Sequence, residues 1–354
     1  MLGFGSRLRV GVDIGSHTIK VVAVEKAGNR QKVTYRTARP IYSGKQEYDL
    51  DGPKRSQITP ILVDIFKEMK VQPKRMKNLR AVVSGAHVAA KEILALPLEE
   101  REMQSAMTAE ARKHIPLDGS EAQVDFQVIG ENPEDPDKVR VLVAATTKNT
   151  FNNLLETFGE LEIKPTIVDL EPLSMINSWM GFNELPDEGV VVLLNIGARK
   201  TGVTVVGRTS MFFSRDIAVG GWSFTEEIMK DYGLSYEEAE KAKFQYGLKP
   251  DLPKVEKEGG GLRLASKSVL DRFGDEVNRT LRYYVKETGQ SFFQKFVLVG
   301  GGAALPELED FLGSKFNVTV DVYDPFTRME VEAGNGEAPE GIYAGAVGIA
   351  IREQ

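Results

Sequence analysis

No cysteine occurs in the 354 residues, which excludes disulfides and thiolate metal sites. Histidine is scarce too, with three residues, so a His-rich metal centre is not expected. Apolar runs are short. None approaches the roughly 20 residues of a membrane helix, and no direct membrane span is expected. The leader MLGFGSRLR is too short for a secretory signal. Its Leu2, Phe4, Arg7 and Arg9 read as a frayed end leading into the first strand. An excess of basic charge is also missing: the formal net charge is −6, which argues against nucleic acid as the main partner. What remains is 42% hydrophobic and 27% charged, an ordinary globular balance, in a chain long enough for two lobes. The expected location is the cytosol.

The most informative stretch is Val10 to Lys26, VGVDIGSHTIKVVAVEK. Alternating β-branched residues flank a short polar turn, the pattern of strand–turn–strand. Gly15 permits close backbone approach to a bound group, and successive N–H groups with the Ser16 and Thr18 hydroxyls suit a phosphate. Lys20 adds a positive charge, and Asp13 can hold the water shell of Mg²⁺. A single such hairpin is weak evidence. A second, VVLLNIGARKTGVTVV from Val191 to Val206, aligns on the first without a gap, Asn195 on Asp13 and Gly197 on Gly15. Two related halves facing one cleft are the expectation.

Between and after the hairpins the pattern supplies a crossover helix from Ser56 to Met69 and a strand from Leu79 to Ser84. The acidic EYDLDGP reads as a surface loop. From about His87 to Lys164 a separate β-α-β-β-α succession reads as an inserted subdomain, with Met103, Met107 and Ala111 stacked at helical spacing. Ser235 and Glu238 form a capping box, and LKPDLPKVEKEGGG reads as a mobile loop. Val269, Phe273, Val277, Leu281 and Val285 make the core stripe of a long helix. LVGGGAALPELEDF and a closing small-residue helix, GIYAGAVGIAIRE, end the order.

That order resembles the actin-like ATPase superfamily, and most specifically the PilM family of type IV pilus assembly proteins on the branch that includes the division protein FtsA. GVDIGSHTIKVV, ILALPLEEREMQSAMTAEARKHIPL and DLEPLSMINSW carry the resemblance. It implies an α/β fold of two lobes with mixed sheets flanked by helices. The segments expected are a first lobe at 1–86, an inserted partner-binding subdomain at 87–165, a return helix at 166–190, a second lobe at 191–340 and a closing helix at 341–354. It also implies ATP or ADP with Mg²⁺ in the cleft. Asp13 would hold Mg²⁺ through water, and Gly15, Ser16, His17, Thr18 and Lys20 would form the first phosphate loop. Asn195, Gly197 and Thr201 would form the second, with Gly220 and Gly221 near the terminal phosphates. Glu240 and Lys243 would hold ribose and adenine, and Gly301, Gly302 and Ala303 the adenine turn. Glu171 of DLEP is the expected partner of the hydrolytic water.

Each residue also has a plainer reading. Asp13 could cap a turn, Glu171 a helix, and Glu240 with Lys243 could be a surface pair. His17 reads as a solvated turn residue, and the two methionines as core at least as readily as peptide surface. One departure concerns chemistry: relatives carry Asp where this chain has Asn195, and an amide cannot help organise Mg²⁺ by charge, so at most slow hydrolysis is expected. The implied partner is the N-terminal cytoplasmic tail of a PilN-like bitopic protein of the inner membrane. The pilus motor ATPase is a further partner and a homo-oligomer is open. The alternatives are an actin-like small-molecule kinase, for which no acceptor base is evident, and a polymerising FtsA-like protein, for which no terminal amphipathic helix is evident.

Overall fold

The computed structural model describes residues 8–28, 30–42, 48–49, 52–115, 118–248, 267–332 and 338–353. The first hairpin is β1 (Leu8–Ile14) with β2 (Thr18–Ala27), extended antiparallel by β3 (Arg30–Pro40). Helix α1 (Arg55–Glu68) crosses to β4 (Leu79–Val83), which runs parallel to β1. The chain then builds β5 (Val88–Ala95), α2 (Glu100–Ala111), β6 (Ala122–Glu131), β7 (Val139–Thr147) and α3 (Lys148–Gly159). It returns through β8 (Ile167–Leu170), parallel to β4, and leaves along α4 (Glu171–Met180).

The second hairpin, β9 (Val190–Ile196) with β10 (Thr201–Val206), is followed by β11 (Phe213–Ile217), α5 (Gly221–Tyr232) and α6 (Tyr236–Tyr246). Then come α7 (Val269–Thr288), β12 (Phe293–Val299), α8 (Leu308–Phe316), β13 (Thr319–Val322), β14 (Glu330–Val331) and α9 (Ala344–Ile351). The loop read as mobile, 248–261, lies outside the described residues except for Leu248.

Two sheets share one plan. The first has the order β14-β3-β2-β1-β4-β8 and the second β11-β10-β9-β12-β13. In each, an antiparallel hairpin carries a third antiparallel strand on one side and two parallel strands on the other. The repeat seen in two stretches of sequence therefore extends to a whole lobe. This is the actin-like α/β architecture expected. A third sheet, β5-β7-β6, stands apart with its own core, in which Met103 and Met107 of α2 pack on Val124, Val141 and Val143. Both methionines are core rather than surface. Pairing alternates along these strands so that one face is apolar, and α2 covers it.

The lobes meet where α9 lies against α4 and β1, at a separation only glycine allows. A Cβ on Gly348 would lie 1.7 Å from Ser174 O of α4, and one on Gly11 would lie 2.1 Å from Ala346 O of α9. The buried Arg80 on β4 donates to the carbonyls of Ile349, Ala350 and Arg352. These carbonyls, at the C-terminal end of α9, have no partner inside the helix, and a cation there also meets the negative end of the dipole.

Gly348→Ala separates two effects of opposite sign. Alanine favours helix by about 1 kcal/mol, whereas forcing a methyl against a packed backbone costs about 3 kcal/mol. Denaturant unfolding should show a net loss of about 2 kcal/mol. Equal or higher stability would mean that α4 and α9 part without cost.

Candidate functional site

The two hairpins have one register. Asp13 faces Lys20 across the first ladder, and Asn195 faces Gly202 at the same step of the second. The Gly15 N–H donates to Thr18 O and the Gly197 N–H to Lys200 O, both at 3.0 Å, so the two turns are closed alike. Both turns front a cleft of about 1330 Å³, above the roughly 300–1,000 Å³ of an ordinary small-molecule site. Ser16, His17, Thr18, Glu171 and Gly221 line it, with Glu240 and Lys243 from α6 and Gly301 and Gly302 from a short 3-10 turn, Gly301–Ala304. Gly302 is needed for packing, because its Cβ would lie 2.2 Å from Ile196 Cγ2.

Lysines hold the carboxylates of this cleft. Asp13 is 2.9 Å from Lys20, and burial raises its pKa although Lys20 pulls the other way. Glu171 accepts from Asn195 Nδ2 at 2.8 Å with one oxygen and lies 3.2 Å from Lys200 with the other. Lys200 also reaches Asp216 at 2.6 Å. Burial alone would lower the Lys200 pKa, but Glu171 and Asp216 together outweigh it and raise it. Glu240 pairs with Lys243, which donates to Thr225 Oγ1 at 2.7 Å and to Gly221 O at 3.3 Å. Burial lowers the Lys243 pKa. That pair ties α6 to α5 as well as facing the cleft.

Three expected contacts, Thr201, Gly220 and Ala303, lie outside the lining of the cleft. Thr201 is fully buried and donates to Val219 O at 2.8 Å. The reason is register: in the ungapped alignment Thr201 falls on the buried Ile19, and it is Lys200 that falls on Thr18. The same alignment could have found Lys200, which sequence reasoning passed over. Gly220 packs behind the second turn, where a Cβ would lie 2.6 Å from Lys200 N, and Ala303 is buried in the second core.

The Mg²⁺ expected at Asp13 would be held through water, not by a cage of protein ligands. Asp13 is already paired, and among the described residues no cluster of three or more His, Cys, Asp or Glu could hold an ion.

A sequence profile for the family described as type IV pilus assembly protein PilM matches residues 11–354. The chain belongs to the PilM family. Its fold is similar to that of a solved PilM-PilN type IV pilus biogenesis complex chain, with a TM-score of 0.77 at 21% identity over 97% of each chain. MreB5 of Spiroplasma citri bound to AMPPNP shares the fold more distantly, with a TM-score of 0.50 at 15% identity over 97% of this chain and 95% of that one. The cell division protein FtsA of Streptococcus pneumoniae serotype 2 is 23% identical over 201 residues. That match takes in 53% of this chain and 43% of FtsA, less than half the curated relative's length.

In this PilM-family chain the first turn packs among aromatic rings that line the cleft rather than standing in solvent. His17 is half-buried among Tyr42, Tyr48 and Tyr236. Tyr48, expected on a surface loop, is buried and stacks on Trp222 of α5 with centroids 5.0 Å apart. Trp222 and Tyr236 belong to the second lobe, so the nest joins the lobes. Tyr236 Oη lies 2.7 Å from His17 Nε2, and Nδ1 lies 3.0 Å from Thr18 Oγ1. A neutral ring can accept from the tyrosine and donate to the threonine; a charged ring cannot accept.

Burial lowers the His17 pKa, with Glu240 opposing and Lys243 and Lys20 assisting. A histidine depressed on folding adds stability above its unfolded value, and that stability is lost as pH falls through its folded value. Thermal unfolding should therefore show wild type losing ground against His17→Gln between about pH 7 and about pH 5. Parallel melting-temperature profiles would rule out His17 as the group.

Proposed function

We propose that this chain binds ATP between its two register-matched turns and acts as an assembly protein at the cytoplasmic face of the inner membrane. It would be held there by the N-terminal tail of a PilN-like bitopic protein. The observation that carries the nucleotide half is the pair of register-matched turns, each closed by the same N–H to carbonyl bond, facing one cleft. Their N–H groups with Lys20 and Lys200 suit a polyphosphate, and Gly301 leaves room for a flat base to approach the backbone. MreB5, which shares the fold, was solved with AMPPNP. A Mg²⁺ that enters would come on the phosphates themselves, with Asp13 as the nearest carboxylate.

The same geometry disfavours catalysis. Both oxygens of Glu171 are engaged, by Asn195 and Lys200, so it is poorly placed to take a proton from water. Asp13, Glu171, Asp216 and Glu240 are each paired with a lysine rather than poised alone, which counts against a small-molecule kinase. No helix among the described residues is long and apolar enough to cross a membrane, so attachment would depend on the partner. The partner half rests on family membership and on the likeness to the PilM-PilN chain. The three-stranded sheet and the segment around it carry exposed Leu94, Leu96, Leu98, Val128 and Ile129, an apolar surface the buried methionines do not supply.

Titration with a fluorescent ATP analogue should show binding, while phosphate release should stay below roughly one per second, the low end for enzymes. Turnover of many per second would overturn the non-catalytic reading. For the partner half, fluorescence anisotropy of the tail peptide should give micromolar binding to the full chain, since an ordering peptide gives up part of its contact energy. The same peptide should not bind a chain lacking 87–165 that still binds nucleotide. Equal binding by both would place the partner site elsewhere.

A further inference from the structure

Besides the packing of β5 on β11, two sets of hydrogen bonds tie the second lobe to the three-stranded sheet and to the segment leading into it, and they differ in kind. Glu92 of β5 is 2% exposed. It receives Arg140 Nε at 2.5 Å and Nη2 at 3.1 Å from β7, and the Phe212 N–H at 2.7 Å from the turn between β10 and β11. Arg140 Nη2 donates in turn to Ser210 O of that turn at 3.2 Å. A buried ion pair with its hydrogen bonds satisfied is strongly disfavoured from breaking, so this tie is fixed.

The other tie is exposed to the cleft. Lys200 donates to Gly85 O at 3.1 Å, and Gly85 sits where the chain leaves β4 for β5. Gly85 has φ +126, a backbone conformation that residues with a side chain rarely adopt, with no atom within 4 Å of a Cβ position. The three protons of the Lys200 ammonium are shared among Glu171, Asp216 and Gly85 O. Two of those partners carry full charge and the third is a neutral carbonyl, the easiest to exchange for a phosphate oxygen.

We propose that Lys200 reports the terminal phosphate of a bound nucleoside triphosphate to the three-stranded sheet by exchanging Gly85 O for a phosphate oxygen. The proposal rests on the nucleotide reading of the cleft. With the cleft empty or holding a diphosphate, Lys200 keeps the root of the sheet against the second lobe. With a triphosphate the root is released while the Glu92 pin holds, and the sheet turns about the pinned end. A partner that favours the tied position then weakens triphosphate binding, and the triphosphate weakens the partner by the same factor. Lys200 acts here as a positioning residue.

The chain has no cysteine, so spin labels can be placed without background on Lys67→Cys in α1 and Glu134→Cys in the β6–β7 loop, both exposed. Pulsed electron paramagnetic resonance on the labelled full chain reads their separation without nucleotide, with ADP and with AMPPNP, and a fluorescent analogue monitors occupancy on the same samples. AMPPNP should shift the distance distribution by roughly 2 Å or more, and ADP should not. Lys200→Met should show the AMPPNP-like distribution with no nucleotide at all, and Lys200→Arg should restore the wild-type response. An unchanged distribution in wild type with AMPPNP bound, or a nucleotide-free Lys200→Met that matches nucleotide-free wild type, overturns the proposal. Failure of wild type to take up any nucleotide overturns the cleft reading itself, and the proposal with it.

Discussion

Ser174 O of α4 lies where the first side-chain carbon of residue 348 would be if that residue were anything but glycine. The arrangement of the molecule follows from that contact. Helix α4 begins at Glu171 and helix α9 passes behind Asp13, where a Cβ on Gly345 would lie 2.9 Å from the carboxylate. Two carboxylates of the cleft, Asp13 and Glu171, are therefore positioned beside a backbone-to-backbone contact between helices. Arg80, Arg9 and the Arg352–Asp169 pair hold the end of α9 in that position from three directions.

Charge sets the second constraint. Each acidic group at the cleft carries an ammonium within about hydrogen-bond reach, and Lys200 serves two of them. A site so balanced has little left with which to polarise water, but it can rearrange. Neutral and charged partners of one ammonium are not equivalent, and a ligand that brings charge of its own decides which partner is kept. The anion sensing proposed above would draw on this balance of charged and neutral partners.

Much of the fold was legible because two kinds of pattern agreed. The alternation around Asp13-Ile14-Gly15 repeats around Asn195-Ile196-Gly197, and both hairpins formed in the register that alignment requires. The capping box at Ser235 and the stripe through Phe273, Val277 and Leu281 became a helix start and a buried face. Three things were not legible, each for a physical reason. Thr201 looked like a phosphate contact by residue type, but strand parity turns it inward with Ile19. Tyr48 stands in an acidic loop, and nothing local signals that Trp222, far along the chain, will stack on it. Glu92 and Arg140 are neither neighbours in sequence nor directly opposite on the ladder, since Glu92 faces Leu142, so their pair exists only once β5 and β7 align.

The aromatic nest has an optical consequence. The chain has two tryptophans, and they sit in contrasting places. Trp179 is buried on α4 against the second sheet, whereas Trp222 lies half-buried on the cleft lining, its ring stacked on a tyrosine from the opposite lobe. A change in the separation of the lobes at the nest alters the surroundings of the Trp222 indole directly, through its tyrosine neighbours. The protein thus carries its own fluorescent gauge of cleft closure, with no dye attached.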